Sequence, residues 1–138
     1  MTTQPKLSEA LERARARGRV RMVEMLADPD MLTVQQLAKR IGISLNEVEE
    51  LEQQHRVLAV SLLGEIRYPA FQVGPAGMHL PCLDLIAARL NGSPFLVYQF
   101  LISGAHDGTD RRLHELLTAG EIQEVLGEAE AWESGAFS

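Results

Sequence analysis

The chain has 138 residues, 46% of them hydrophobic and 23% charged, with a formal net charge of −6 at pH 7. These proportions belong to a globular protein with room for one or two small domains, and they exclude a disordered, collagen-like or membrane-spanning chain. A negative total argues against nucleic-acid binding by bulk positive charge, yet residues 1–69 carry ten Lys/Arg against ten Asp/Glu, while residues 70–138 carry three against nine. The single cysteine, Cys82, allows no intramolecular disulfide, and no apolar signal region follows Met1. The longest strongly apolar run, Phe95 to Ile102, is shorter than the roughly 18 to 20 residues that span a bilayer. The expected setting is a reducing cytoplasm without membrane contact.

In chain order, Leu7, Leu11, Ala14, Met22, Met25 and Leu26 share one side of a 3.6-residue period and predict a long amphipathic helix despite Gly18. Arg13, Arg17 and Arg21 form one line on it, with Arg15 and Arg19 on the other flank of the apolar stripe. This helix reads either as a solvated element with Glu9 pairing to Arg13, or as a phosphate contact. Asp28-Pro29-Asp30 breaks it. Thr33 then caps a helix with apolar positions at Val34, Leu37 and Ile41, which Gly42 ends in the left-handed conformation. Ser44-Leu45-Asn46-Glu47 is a capping box opening a helix to about Gln54, with Val48 and Leu51 facing inward.

Val57 to Val60 and Ile66 to Tyr68, separated by a Leu63-Gly64-Glu65 turn, predict a small β-hairpin that Pro69 ends. Val73 to Gly77 reads as a connecting loop, dividing the chain into residues 1–73 and 74–138. Beyond it, helices are predicted from Cys82 to Leu90, from Pro94 to Ile102, around Leu113, Leu116 and Leu117, and from Ile122 to Trp132. The expected fold class is mainly α: an N-terminal helix, a helix-turn-helix with a small β-hairpin, then a C-terminal α-helical domain.

Val34 to Gln53 fits the helix-turn-helix pattern. Ala38 is small where the two helices must approach closely, Gly42 makes the bend, Ile41 and Ile43 flank the turn, and Val48 and Leu51 form the inner side. A helical hairpin that only packs explains the apolar positions but not the small residue, glycine and capping box together. Docked on DNA, the second helix would turn Ser44, Leu45, Asn46, Glu49, Glu50 and Gln53 toward the major groove, with Gln35 near a phosphate. Asn46 and Gln53 can pair bidentately with adenine, and a glutamate can accept from cytosine. Glu47, Glu49, Glu50 and Glu52 nevertheless set four negative charges on a helix that must approach a polyanion. Attraction would have to come from Lys39, Arg40, Arg56 and the N-terminal arginines.

The run Val57 to Val60, followed by Gly64-Glu65-Ile66-Arg67-Tyr68-Pro69-Ala70-Phe71-Gln72, a Pro-Cys-Leu helix and a second apolar helix, resembles bacterial antitoxins of the Xre/MbcA/ParS type. Glu115 to Val125 is similar to that family's C-terminal Leu-Leu, Gly and Val pattern. The resemblance covers about residues 33 to 130 and is strongest at Tyr68 to Gln72. It implies a mainly α homodimer whose N-terminal half represses its own operon and whose C-terminal, toxin-binding-like half neutralises a RES-type toxin that consumes NAD. The residues themselves offer a partner surface in the second half, with Arg111, Arg112, Glu115, Glu124 and Glu128 as its charges and Trp132 and Phe137 as apolar anchors. Against this stands the reading in which Trp132 completes the core and the glutamates solvate the last helix.

His55, His79, His106 and His114 show no metal-ligand spacing, and there is no GxGxxG, Walker loop or GxSxG elbow. Cys82 follows Pro81 ahead of an apolar helix, as a packing residue does. No catalytic residue, metal site or cofactor is expected. The sequence thus predicts a DNA-binding antitoxin-like protein; the alternatives are a helix-turn-helix-derived interaction module and a one-component regulator without a toxin.

Overall fold

A computed structural model describes the backbone of residues 3–74, 77, 80–91 and 93–133, and side chains within the span 6–132. His79, Phe137, and Pro75 and Ala76 of the connecting loop lie outside the described residues. The described elements are α1 (Thr3–Ala27), β1 (Met31–Leu32), α2 (Val34–Ile41), α3 (Leu45–Gln53), β2 (Val60–Leu62), β3 (Glu65–Pro69), α4 (Leu83–Arg89), α5 (Pro94–Ile102), α6 (Leu113–Thr118) and α7 (Ile122–Glu133). The class is mainly α, as the sequence predicts, with a small antiparallel sheet in the order β1-β3-β2.

The sheet exceeds the expected hairpin by one strand. Met31 pairs with Pro69 and Leu32 with Tyr68, so the segment after Asp28-Pro29-Asp30 is a strand before Thr33 caps α2. At two residues it is too short to show any alternation in the sequence. The hairpin itself is tighter than predicted. Val57 to Ala59 is buried but not yet strand, Val60 faces Arg67, and Leu62 faces Glu65 across a two-residue Leu63-Gly64 loop. Both loop residues have positive φ, 52° and 83°, the type I′ signature that matches the twist of paired strands. Pro69 closes β3 without ending the ordered backbone, because Ala70 to Gln72 makes one 3-10 turn. Cys82 takes a left-handed conformation ahead of α4, which begins at Leu83.

Two apolar clusters hold the molecule. The smaller joins the helix-turn-helix to the sheet: Leu37, Ala38 and Val48 of α2 and α3 pack with Leu32, Val57, Ala59 and Tyr68. The larger gathers Leu83, Ile86, Val97, Phe100, Leu101, Leu113, Leu116, Leu117, Val125 and Ala129 from α4 to α7, and joins to them Met31, Leu58, Val60 and Leu62. The predicted boundary between residues 73 and 74 falls in the connecting segment, but the larger core crosses it. Gly77 sits against the end of α2, where an added Cβ would come within 2.9 Å of the Arg40 carbonyl oxygen.

α1 runs unbroken through Gly18. Only its C-terminal end joins the body: Met22, Met25 and Leu26 pack on the larger core. The predicted apolar stripe is therefore only partly buried, since Leu7 is 60% and Leu11 47% exposed and Ala14 is exposed as well.

Candidate nucleic-acid interface

The bend between α2 and α3 is built by local hydrogen bonds. Thr33 accepts from the Gln36 amide (3.2 Å) while its own amide donates to the Gln36 side chain (2.9 Å). At the other end, Gly42 is left-handed (φ 82°), and the amides of Gly42 and Ile43 both donate to the Ala38 carbonyl, at 2.8 and 3.0 Å. Ser44 then accepts from the Glu47 amide (3.1 Å) and donates its amide to the Glu47 carboxylate (3.3 Å), a reciprocal capping box. Ala38 and Val48 are buried in the same cluster, as close packing of the two helices requires. The hairpin β2–β3 follows as a wing, so the unit is a winged helix-turn-helix.

The four glutamates of α3 do not act alike. Glu47 caps the helix, where its charge meets the positive end of the backbone dipole. Glu52 is half-buried and accepts a hydrogen bond from the Tyr68 hydroxyl at 2.9 Å. Burial first, then that hydrogen bond and the charges of Glu52 and Glu49, push the Tyr68 phenol above its ordinary range, so it stays a neutral donor. At 100° per residue, the exposed residues Asn46, Glu49, Glu50 and Gln53 remain on the outer face, opposite Val48 and Leu51. The carboxylates confronting a ligand there number two rather than four.

Leu45, Glu49, Glu52 and Gln53 meet Val34, Ile66 and Tyr68 around one groove between α3 and the wing, Glu52 on its Tyr68 side. Ile66 and Arg67 of that wing escape sequence reasoning. Arg67 is held by Glu65 at 2.9 Å, and Ile66 shares its strand face with the buried Tyr68, so alternation along β3 points it inward and no sequence signal marks it as exposed. Gln35, Lys39, Arg40, Ser44 and Arg56 are exposed, Arg56 bordering the Leu80 to Asp84 segment. Arg13, Arg17 and Arg21 are exposed on α1, which packs its end on β1 and β2. They lie on a different element from the α3 face.

The residues singled out for a partner are mostly engaged within the fold. Arg111 is clasped by Glu121 (2.6 Å) and Asp107 (2.9 Å). Hydrogen bonds from Thr109, then Arg111, hold Asp107 down at about 2. Arg112 donates its side chain to the Ile102 carbonyl and its amide to Glu115, both at 2.9 Å. Glu128 accepts the His106 amide and stands 2.8 Å from its ring nitrogen. Trp132 sets its ring edge-on to Phe100 at 5.4 Å, as the core reading has it. Glu124 stays exposed on α7.

The Tyr68-Pro69-Ala70-Phe71-Gln72 run, which carries the family resemblance most strongly, is a structural clasp. Gln72 is 1% exposed; it accepts from the Leu58 amide (2.8 Å) and donates to the Leu58 and Pro69 carbonyls (both 3.0 Å). Phe71 stacks on His114 of α6 at 4.4 Å. Between the end of α3 and helices α4 and α5 lies a cavity of about 230 Å³, lined by Glu52, His55, Leu58, Leu83, Ala87 and Val97 among others. Among the described residues, no group of three or more His, Cys, Asp or Glu could hold a metal ion, and no single helix is long and apolar enough to cross a membrane.

These features define a mainly α, winged helix-turn-helix fold. It is similar to the NMR structure of the Mycobacterium protein Rv2175c, with a TM-score of 0.59 and 19% identity over 77% of this chain and 84% of that one. No protein-family model and no curated protein matches the sequence. At that identity the likeness concerns the fold.

Proposed function

We propose that the protein binds operator DNA through α2 and α3, represses its own operon, and uses its C-terminal helices to bind and neutralise a partner protein of the RES-toxin type. The DNA part is supported by one observation above the others: Glu47 and Glu52 are committed to capping and to Tyr68, which leaves Asn46 and Gln53 at the centre of the outer face of α3. Both amides suit bidentate pairing with adenine. Lys39, Arg40 and the α1 arginines supply phosphate attraction. The partner part rests on the family resemblance and on the acidity of residues 70–138.

A gel-shift titration against the chain's own upstream DNA tests the first part. Gln53→Ala should cost about 1 to 3 kcal/mol and relax sequence preference, whereas Lys39→Glu should weaken all sequences alike and lower the salt slope by about 1. No binding at low salt would sink it. Co-purification with the product of the adjacent reading frame, and suppression of its NAD consumption, tests the second.

A second reading, a regulator that senses a small molecule, is favoured by the 230 Å³ cavity behind the end of α3. It predicts that DNA affinity responds to a cell extract freed of protein, and that Ala87→Phe, which fills the cavity, removes the response.

A further inference from the structure

α1 is a 25-residue helix whose apolar face runs on past the edge of the body. On the helical period, Leu7, Leu11, Ala14 and Gly18 lie on the same side as Met22 and Met25, which enter the core. Among the described residues nothing covers Leu7, Leu11 or Ala14. The arginines of α1 also repel one another at i,i+4 spacing along both flanks, Arg13 with Arg17, Arg17 with Arg21 and Arg15 with Arg19; Glu24 sits beside Arg21, so in the free part of the helix Glu9 and Glu12 are the acids that offset them. A helix of this length standing clear of the body has little stabilisation of its own in water.

We propose that α1 is a self-association helix, the Leu7-Leu11-Ala14-Gly18 face of one copy packing antiparallel on the same face of a second copy. Shape supports this occupant. An antiparallel two-fold axis between Glu12 and Arg13 lays Leu7 over Gly18 and Leu11 over Ala14, large against small, and repeats both contacts by symmetry. A Cβ added at Gly18 would meet nothing within 4 Å, so the hollow for the second copy's leucine is open. The overlap stops one turn short of Met22, and the two Met22 positions lie about 28 Å apart along the helices, which keeps the two bodies from colliding.

Charge selects the same arrangement. Glu9 and Glu12 precede the arginine row, and Glu24 follows it beyond the overlap, so antiparallel packing sets Glu12 of each copy beside Arg15 of the other, on one flank of the seam. Parallel packing would instead bring the arginine rows together in register. The Arg13, Arg17 and Arg21 lines of the two copies share the other flank and run apart from the axis, so that Arg13 of each copy is the one that nears its like, whereas Arg17 and Arg21 separate. The inference does not rest on DNA or toxin binding.

The test is made on the full chain without DNA. Sedimentation over a range of concentrations should give a dimer. Leu7→Glu with Leu11→Glu should give a monomer that keeps the circular dichroism of the folded body and melts where the wild type melts once diluted below its dimer Kd, because these side chains touch none of the described residues of the body. Glu12→Arg should raise the dimer Kd by about tenfold, and Glu12→Arg with Arg15→Glu should restore it. In a Cys82→Ser background, Leu7→Cys mixed with Gly18→Cys should form the mixed disulfide. A monomeric wild type, a dimer that survives the double glutamate substitution, or ready cross-linking of Leu7→Cys to itself would each overturn the proposal.

Discussion

Gln72 joins the end of the wing to residues 57–59, which lead into it. Its side chain satisfies both the amide and the carbonyl of Leu58 in a buried setting. Replacing it with alanine leaves those groups unpaired and should destabilise the protein by about 2 to 4 kcal/mol, read by urea denaturation, whereas a surface change should cost far less. His114 carries the pH dependence. Burial against Phe71 lowers its pKa below the usual imidazole value, with Glu115 raising and Arg112 lowering it by smaller amounts. The unfolded chain therefore takes up the proton at higher pH than the folded one. The neutral imidazole's contribution is whole above about 6.5 and is lost as the pH falls below that value. The melting temperature should drop between about pH 7 and about pH 5, and His114→Phe should shrink that drop.

At the scale of elements, α2 and α3 are legible in the sequence because their ends are written in local chemistry. Thr33, Gly42 and Ser44 each make the hydrogen bond or adopt the backbone conformation that their residue type favours. The hairpin is less legible, since Leu63 is a poor residue for a left-handed position and hides a two-residue turn. Leu63→Gly or Leu63→Asn should relieve that conformation and stabilise the fold by about 0.5 to 1 kcal/mol, measured as a higher urea midpoint. β1 is illegible for a different reason. Its two residues become strand only because β3 arrives beside them.

At the scale of the molecule, two sequence halves with different charge share a core. Leu62 lies before the connecting segment and Leu101 after it, and both are fully buried in the same cluster. Leu62→Ala and Leu101→Ala should each cost about 2 to 5 kcal/mol. Each should shift one transition, the same by tryptophan fluorescence and by far-UV circular dichroism. Two separated transitions would mean that the halves fold independently.

By itself the sequence determined what depends on near neighbours: the mainly α class, the capped helix-turn-helix, and the uneven division of charge. It also assigned Asn46 and Gln53 to the outward side of α3, because helical period alone decides that. Only the tertiary structure decided which glutamates are spent. Glu52 looks as free as Glu50 until Tyr68 comes from 16 residues away to engage it. Likewise, the apolar stripe of α1 reads as one buried face, and only the extent of the body decides that Leu7 and Leu11 lie beyond it. Burial and long-range pairing are properties of where the chain returns to itself, and no local pattern encodes them.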